Sequence, residues 1–232
     1  MSVSAGPIDP VADRLLADRL LAASEELTEE VIGEMYRDPF WFERFGEPRA
    51  SRHGRQDGNH HVAYLAEALR AGDGQVMERY ARWLQQVLTT RGMCSRHLAE
   101  NFERLGRAIA ARGWPHHPRA VELLAAAVDA LRYEGGPARA VQDRAGAIAG
   151  DDAELATFAS YLADALALGR PPLFAAHAAW YAGFAERQGR PAGTVPGLLA
   201  RLRDGALREL PEHRAAIEHV LHAADEAVRD RR

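Results

Sequence analysis

Apolar residues recur along most of the chain at intervals of three and four positions, the spacing that places side chains on one face of an α-helix. Alternation of apolar and polar residues, which is typical of half-buried strands, is almost absent. The pattern therefore predicts an all-α protein. Between residues 11 and 36, the apolar positions with helical spacing are Leu15, Leu16, Leu20, Leu21, Leu27, Val31, Ile32 and Met35.

This first helical stretch contains two hydroxyl residues, Ser24 and Thr28, that can cap a new helix start and so interrupt it. Asp38 precedes Pro39, and the residue before a proline is pushed out of the α region, so the stretch ends there. From Pro39 to Pro48 the sequence is rich in aromatic residues. We expect this connector to pack as a plug on the helical module that follows.

From about residue 55 the pattern predicts eight helices in two sets of four, with a short bridging helix over 138–149 between the sets. Gly72, Gly92 and Gly113 stand where the end of a helix needs a left-handed residue, which glycine adopts without strain. The predicted ranges are 57–71, 75–91, 95–112 and 118–133, followed by 151–168, 172–188, 195–209 and 212–230.

The second set of helices repeats the first. A shift of 97 residues without a gap gives 9 identities over the 33 positions from His60 to Gly92. Rare residues and helix-ending glycines are among them. We interpret this as an internal duplication of a four-helix-bundle module. The matched pairs include Tyr64 with Tyr161, Gly72 with Gly169, Trp83 with Trp180, and Gly92 with Gly189.

The duplication divides the chain into four parts, and it predicts two tandem bundles that pack like a fused dimer. The parts are an N-terminal helical extension with its aromatic connector (1–54), module 1 (55–134), a bridging segment (135–150) and module 2 (151–232). We expect Trp83 and Trp180 to anchor the two cores, together with Leu69 and Leu166.

Composition narrows the class of protein. Of the 232 residues, 47% are hydrophobic and 27% charged, and the net charge is −4, so we expect no nucleic-acid partner. No apolar run approaches the length of a membrane span, and the first ten residues lack the features of a signal peptide. A single cysteine, Cys94, excludes an internal disulfide and fits a reducing compartment. We expect a cytoplasmic protein without membrane contact.

The candidate chemistry lies at the predicted start of the first repeated helix. Asp57, His60, His61 and Tyr64 follow i, i+3, i+4, i+7 spacing, which places all four on one helical face. Two imidazoles there predict ligand binding, with His60 and His61 as metal ligands or one of them as an axial haem ligand. Arg104, on the third helix of the module, is the expected polar partner of this face. The cofactor, if one binds, stays unknown.

Module 2 carries Glu154, Thr157, Phe158 and Tyr161 at these four positions. The acid and the tyrosine persist, whereas both histidines are gone. Loss of the histidines alone is what divergence would leave if they were functional. The alternative is that the histidines of module 1 are exposed or bonded to their neighbours and bind nothing. The sequence also lacks His-Glu-x-x-His, repeated Glu-x-x-His and paired cysteines.

A second cluster contains Cys94, His97 and Glu100. A cysteine near a histidine suggests a nucleophile or a redox-sensitive thiol, but no partner acid or oxyanion arrangement is recognisable. The alternative is an inert, half-buried cysteine.

The segment from Arg44 to Ile109 contains a characteristic set of residues, namely Phe45-Gly46, His60-His61, Tyr64-Leu65, Ala68-Leu69, Gly72-Asp73, Tyr80, Trp83 and Thr90-Arg91-Gly92-Met93. In these residues the segment resembles a helical domain of uncharacterised bacterial proteins, and it is similar to the helical bundles that accompany cobalamin-binding domains in bacterial regulators. The resemblance implies a regulatory or sensory setting rather than an enzyme. The cobalamin-binding Asp-x-His-x-x-Gly loop does not occur in the chain.

Three functions stay open on the sequence. The first is a non-catalytic regulatory or scaffold protein that acts on a protein partner or on another copy of itself. The second is a small-molecule, tetrapyrrole or metal-binding sensor that uses His60 and His61. The third is an enzyme, for which no acid–base or nucleophile set is recognisable.

Overall fold

The computed structural model describes residues 9–231. Within that range the chain forms thirteen α-helices, one 3-10 turn and no strand, so the all-α prediction is confirmed. The helices gather into two compact units. Unit 1 runs up to Leu84 and resumes from Leu98 to Leu131, whereas unit 2 holds Gln85–His97 and the chain from Arg132 onward.

Unit 1 begins at a capped helix. The Asp9 carboxylate accepts from the N–H groups of Val11 and Ala12, both at 3.1 Å, and Pro10 fits the first helical turn, where no N–H is needed. The helices of this unit are α1 (Pro10–Ala22), α2 (Ser24–Met35), α3 (Phe40–Phe45), α4 (Glu47–Ala71), the first part of α5 (Gln75–Thr89), most of α6 (Ser95–Ala111) and α7 (His117–Ala130).

The N-terminal helices α1 and α2 both pack along α4, burying Leu16 and Leu27 completely or nearly so. Ion pairs link α2 to the end of α6. The guanidinium of Arg112, the residue that follows α6, lies 3.0 Å from the carboxylates of both Glu26 and Glu30 on α2. The N-terminal extension is therefore an integral part of unit 1.

The helix that carries the candidate chemistry begins ten residues earlier than the sequence predicted. Gly46, with a φ of 77°, turns the chain out of α3, and Glu47-Pro48 open α4 at once. Because proline is compatible with the first turn of a helix, Pro48 begins this element instead of ending the connector. The predicted connector thus contains a helix of its own, and Asp57 lies in the middle of α4.

Unit 2 contains two short helices where one bridging helix was predicted, because the chain breaks at Arg144 between them. Helix α11 packs along α13, and α10 lies against α8, α11 and α13. None of the helices in the described range is long and apolar enough to cross a membrane. The helices of this unit are α8 (Gly136–Asp143), α9 (Ala145–Ala149), α10 (Ala153–Leu168), α11 (Pro171–Arg187), α12 (Thr194–Glu209) and α13 (Arg214–Asp230), the last preceded by the 3-10 turn Pro211–His213.

Helices α4 and α10 end in the same way. Each is followed by a left-handed glycine, Gly72 with a φ of 63° and Gly169 with a φ of 59°. The Gly72 N–H donates to the Leu69 carbonyl at 3.2 Å, and the Gly169 N–H donates to that of Leu166 at 3.3 Å. These equivalent geometries are compatible with an internal duplication. The duplication and the module boundaries drawn from it stay interpretations of the sequence.

The predicted core position of Trp83 is wrong, because its side chain is 56% exposed. Trp83 lies off the buried stripe of α5, whose members follow i, i+3, i+4, i+7 spacing. Trp180 and Leu166 are half-buried, whereas Leu69 is buried as expected. The buried residues of that stripe are Met77, Tyr80, Ala81 and Leu84.

Candidate functional site

His61 points into unit 1, with 2% of its surface exposed. Its Nδ1 lies 2.7 Å from the Tyr80 hydroxyl on α5, and its ring meets the edge of Phe102 on α6 at 5.0 Å between centroids. Burial lowers the pKa of His61 to about 3, and the neighbouring His60 contributes in the same direction. The imidazole is therefore neutral near pH 7, and one ring nitrogen is committed to Tyr80.

The other members of the predicted face lie at different depths. His60 is exposed, Asp57 is half-buried, and Tyr64 keeps 38% of its surface exposed while its ring stacks on Tyr80 at 4.0 Å. The two neighbouring imidazoles thus differ in environment, one in solvent and one in the core. No group of three or more potential metal ligands occurs among residues 9–231. Metal or tetrapyrrole binding by His60 and His61 stays an untested prediction.

Arg104 contacts acidic residues and not the histidines. Its guanidinium lies 3.5 Å from the Glu34 carboxylate on α2 and 3.6 Å from the Glu100 carboxylate one turn earlier on α6. The residue of α6 that does reach His61 is Phe102. Arg104 therefore links α2 to α6 by charge.

Module 2 has a related set of rings at the positions equivalent by the 97-residue shift. Phe158, in place of His61, is fully buried and meets His177 edge-on at 5.1 Å, and His177 stands in place of Tyr80. Tyr161 stacks on His177 at 3.6 Å with 15° between the rings, just as Tyr64 stacks on Tyr80 with 15° between them. A histidine is therefore present in both ring sets. It lies on the first helix of the pair in module 1 (His61 on α4) and on the second helix of the pair in module 2 (His177 on α11).

A buried polar cluster lies elsewhere, around Asp164 of α10. This carboxylate is 3% exposed and accepts three hydrogen bonds. The donors are the Ser95 N–H at 2.8 Å, the Ser95 hydroxyl, and the Tyr133 hydroxyl at 2.7 Å. The Gln85 amide donates in turn to the Ser95 hydroxyl at 2.8 Å. Asp164 thereby satisfies the amide at the start of α6, where a helix leaves N–H groups without internal partners.

Burial raises the pKa of Asp164 to about 6, while its bonds from Ser95 and Tyr133 act in the opposite direction. Cys94 lies beside this cluster with 1% of its surface exposed, and burial raises its thiol pKa to about 12, with Asp164 contributing. A thiol with so high a pKa is a poor nucleophile at neutral pH. The cysteine is more deeply buried than the sequence suggested, in an environment that suppresses thiolate chemistry.

Sequence reasoning singled out Cys94 and His97 but missed Asp164, Tyr133 and the role of Ser95. One signal was present. Asp164 is the only charged residue of α10 beyond its first turn, in a helix that is otherwise almost wholly apolar. A carboxylate in such a helix requires buried donors, because an unpaired buried charge is strongly unfavourable.

Comparison with known proteins adds no assignment to this geometry, because no family model, no curated protein and no solved structure matches the chain.

Proposed function

We propose that this protein is a non-catalytic helical scaffold or regulatory protein that acts through protein–protein contacts made by the aromatic surface of α4 and α5. This surface consists of Tyr64 and Trp83, which lie on either side of the buried Tyr80. The observation that carries the proposal is the exposure of Trp83, at 56%, beside an exposed tyrosine. Tryptophan and tyrosine are the residues most enriched at the energetic centres of protein interfaces.

The two exposed rings are held in place before any partner arrives. Tyr64 stacks on Tyr80 at 4.0 Å, and the Tyr80 and Trp83 rings lie 6.2 Å apart between centroids. A side chain that is already ordered loses less conformational entropy when it binds. Exposed and ordered aromatic rings suit a surface that contacts a protein partner. Rings that served only the core of a monomer would be buried.

The sensor hypothesis has less support. Binding through both histidines needs two imidazoles that converge on one ligand, and His61 is buried with its Nδ1 bonded to Tyr80 while His60 is in solvent. The regulatory setting implied by the resemblance to bacterial helical domains agrees with a contact role and is part of this proposal.

The test places a photo-crosslinking amino acid at Gln86, an exposed residue one turn beyond Trp83 on α5. The full chain is irradiated in cells that express it, and covalent protein adducts are identified by mass spectrometry. We expect an adduct that disappears when Trp83→Ala is added. The control carries the same crosslinker at Leu15, an exposed apolar position on α1. Equal labelling from both positions, or an adduct indifferent to Trp83→Ala, would overturn the proposal.

A further inference from the structure

The turn between α5 and α6, residues 90–94, is covered within unit 2 by helix α10. The Tyr161 hydroxyl donates to the carbonyl of Gly92 at 2.8 Å, and Asp164, one turn further along α10, accepts from Ser95. The Arg96 N–H donates to the Ser160 hydroxyl at 3.0 Å. Three residues of α10, Ser160, Tyr161 and Asp164, thus bond to the α5–α6 turn and the start of α6.

Helix α4 carries the same receiving groups at the positions equivalent by the 97-residue shift. Tyr64 stands in place of Tyr161, and Glu67 stands in place of Asp164. Both are exposed, whereas their counterparts are 4% and 3% exposed. Because Tyr64 stacks on its α5 neighbour at the same 15° angle that Tyr161 makes with His177, its ring is already oriented as a receiving tyrosine.

The turn between α11 and α12, residues 188–193, begins with the same backbone conformation as the covered turn and is one residue longer. Gly92 and Gly189 both have positive φ, 89° and 73°. Their N–H groups donate to Thr89 and Glu186, and the next N–H groups donate to Leu88 and Ala185, which are the same positions in the repeat. The exposure differs in the second half of each turn. Cys94 and the following Ser95 are buried, whereas all residues of 191–193 are exposed, and both turns are exposed before their glycine.

We propose that Tyr64 and Glu67 of α4 receive the α11–α12 turn of a second copy of this chain, so that chains associate head to tail. The proposal rests on the proposed function, whose aromatic surface includes Tyr64, and it names the partner of that surface. The chain presents one exposed receiving face on α4 and one exposed turn that begins with the same conformation as the covered turn. A second copy therefore supplies a turn for the receiving face of α4 and a receiving face for the turn.

The hydrogen-bond pattern carries over in part. The Tyr64 hydroxyl donates to the carbonyl of Gly189, as Tyr161 does to Gly92. Ala192 replaces Ser95 by the shift, so the hydroxyl for Glu67 comes instead from Thr194, the first residue of α12 as Ser95 is the first of α6. The Thr194 hydroxyl lies two positions beyond Ala192 in the sequence. Glutamate is one methylene longer than aspartate, so Glu67 has the longer reach that this donor requires. Ala63 replaces Ser160, so that bond has no counterpart.

This contact is heterologous, because the two surfaces that meet are different. A heterologous contact leaves one free receiving helix and one free turn on every dimer, so growth continues unless a ring closes. Repeat proteins behave in this way when their terminal repeats are not capped. The expected assembly therefore exceeds a dimer as concentration rises.

The test is sedimentation equilibrium of the full chain from low micromolar to near-millimolar concentration. We expect the wild-type mass to grow past twice the 25.5 kDa of one chain. Glu67→Arg blocks the receiving helix and Ala192→Trp blocks the turn, both at exposed positions where the fold tolerates change, as circular dichroism will verify. Each should weaken association by about tenfold or more, as loss of a central contact residue does.

The decisive sample is the equimolar mixture of the two blocked variants. Each retains the surface that the other lacks, so the mixture should form a one-to-one dimer and stop, at concentrations where either variant alone is still mostly monomeric. Tyr64→Phe, which keeps the ring stack and removes the hydroxyl, should weaken assembly less than Glu67→Arg. Leu15→Ala, on the exposed face of α1, should leave it unchanged.

A wild-type protein that stays monomeric throughout the range overturns the head-to-tail proposal. So does a dimer that Glu67→Arg abolishes and Ala192→Trp does not affect, because that result indicates a symmetric contact of two receiving surfaces. Neither result removes the proposed function, since the crosslinker at Gln86 reports contact with any protein. Loss of the crosslinked adduct with intact assembly would remove the function alone.

Discussion

Helices α4 and α10 carry a tyrosine and an acid three residues apart, in equivalent positions and opposite environments. On α10 the pair Tyr161 and Asp164 is buried under the α5–α6 turn, and on α4 the pair Tyr64 and Glu67 is exposed. A tyrosine and an acid at this spacing stabilise the fold on α10, where a turn covers them. On α4, where they are exposed, they form a surface that another protein can contact. Five predictions test this contrast and the equivalence of the two ring sets.

The largest expected effect compares two aromatic residues. Phe158→Ala in the core of unit 2 should lower the free energy of unfolding by about 3–5 kcal/mol, because it leaves a cavity where a fully buried ring stood. Trp83→Ala should cost less than about 1 kcal/mol, since more than half of that side chain is already in solvent. Urea unfolding monitored by circular dichroism measures both. Equal losses would mean that Trp83 is a core residue after all.

The two acids should differ almost as much. Asp164→Ala leaves three buried donors without an acceptor, and we expect a loss of about 3 kcal/mol. Glu67→Ala, at the equivalent exposed position, should change stability by no more than about 0.5 kcal/mol. Chemical denaturation at pH 7 gives both values, under conditions dilute enough to keep the chains apart. A costly Glu67→Ala under these conditions contradicts the exposed position of Glu67.

Protonation gives the third prediction. The pKa of Asp164 is raised in the folded state, from 3.8 to about 6, so folding is more favourable when the group is protonated. This contribution is present in full below pH 4 and is lost as the pH rises from 4 through 6. Relative to Asp164→Asn, the wild-type chain should lose about 2 kcal/mol between pH 4 and pH 7.

The outcome that would contradict this prediction is an Asp164→Asn variant with the same pH profile as the wild-type chain. The Asp164 carboxyl group would then titrate alike in the folded and unfolded chain, and the raised pKa would be wrong.

The smallest effect concerns the exchanged ring pairs. His61→Phe leaves the buried Tyr80 hydroxyl without its partner, and we expect a loss of about 1–2 kcal/mol. Adding Tyr80→His rebuilds the Phe–His pair of module 2, Phe158 with His177, and should recover part of that loss. A double-mutant cycle measures the coupling, and strict additivity would contradict the equivalence of the two ring sets.

The same variant tests the neutral state of His61. Its pKa is lowered to about 3 from 6.5, so its contribution to stability is present above pH 6.5 and is lost as the pH falls toward 3. His61→Phe should therefore unfold less readily on acidification between these values, relative to its own stability at pH 7.

The helices and most of their ends were readable from the sequence because they depend on local chemistry. The 3.6-residue period, the left-handed glycines after α4 and α10, and the prolines near helix starts act within a few residues. The early start of α4 was missed because Pro48 is locally compatible with two structures, the end of a connector and the first turn of a helix. The packing of α1, α2 and α3 against α4 supports the helix in tertiary structure, which the local sequence does not reveal.

The candidate site was only partly readable. Helical spacing put Asp57, His60, His61 and Tyr64 near one another, but spacing cannot decide depth: His61 is buried and its neighbour His60 is in solvent. The predicted burial of Trp83 was wrong for a related reason, because a large apolar residue is not always part of the core. Asp164 was missed because its donors, Ser95 and Tyr133, lie 69 and 31 positions away in sequence.

By itself, the sequence determined that this chain is all-α, where its helices lie, and that two of its segments are alike, because helix periodicity and capping are local properties. The tertiary structure alone decided which of two equivalent surfaces is buried. Burial depends on what another part of the chain places over a helix face. Tyr161 and Asp164 are bonded to Gly92 and Ser95 of the same chain and are buried. Tyr64, Glu67 and Trp83 are exposed to solvent.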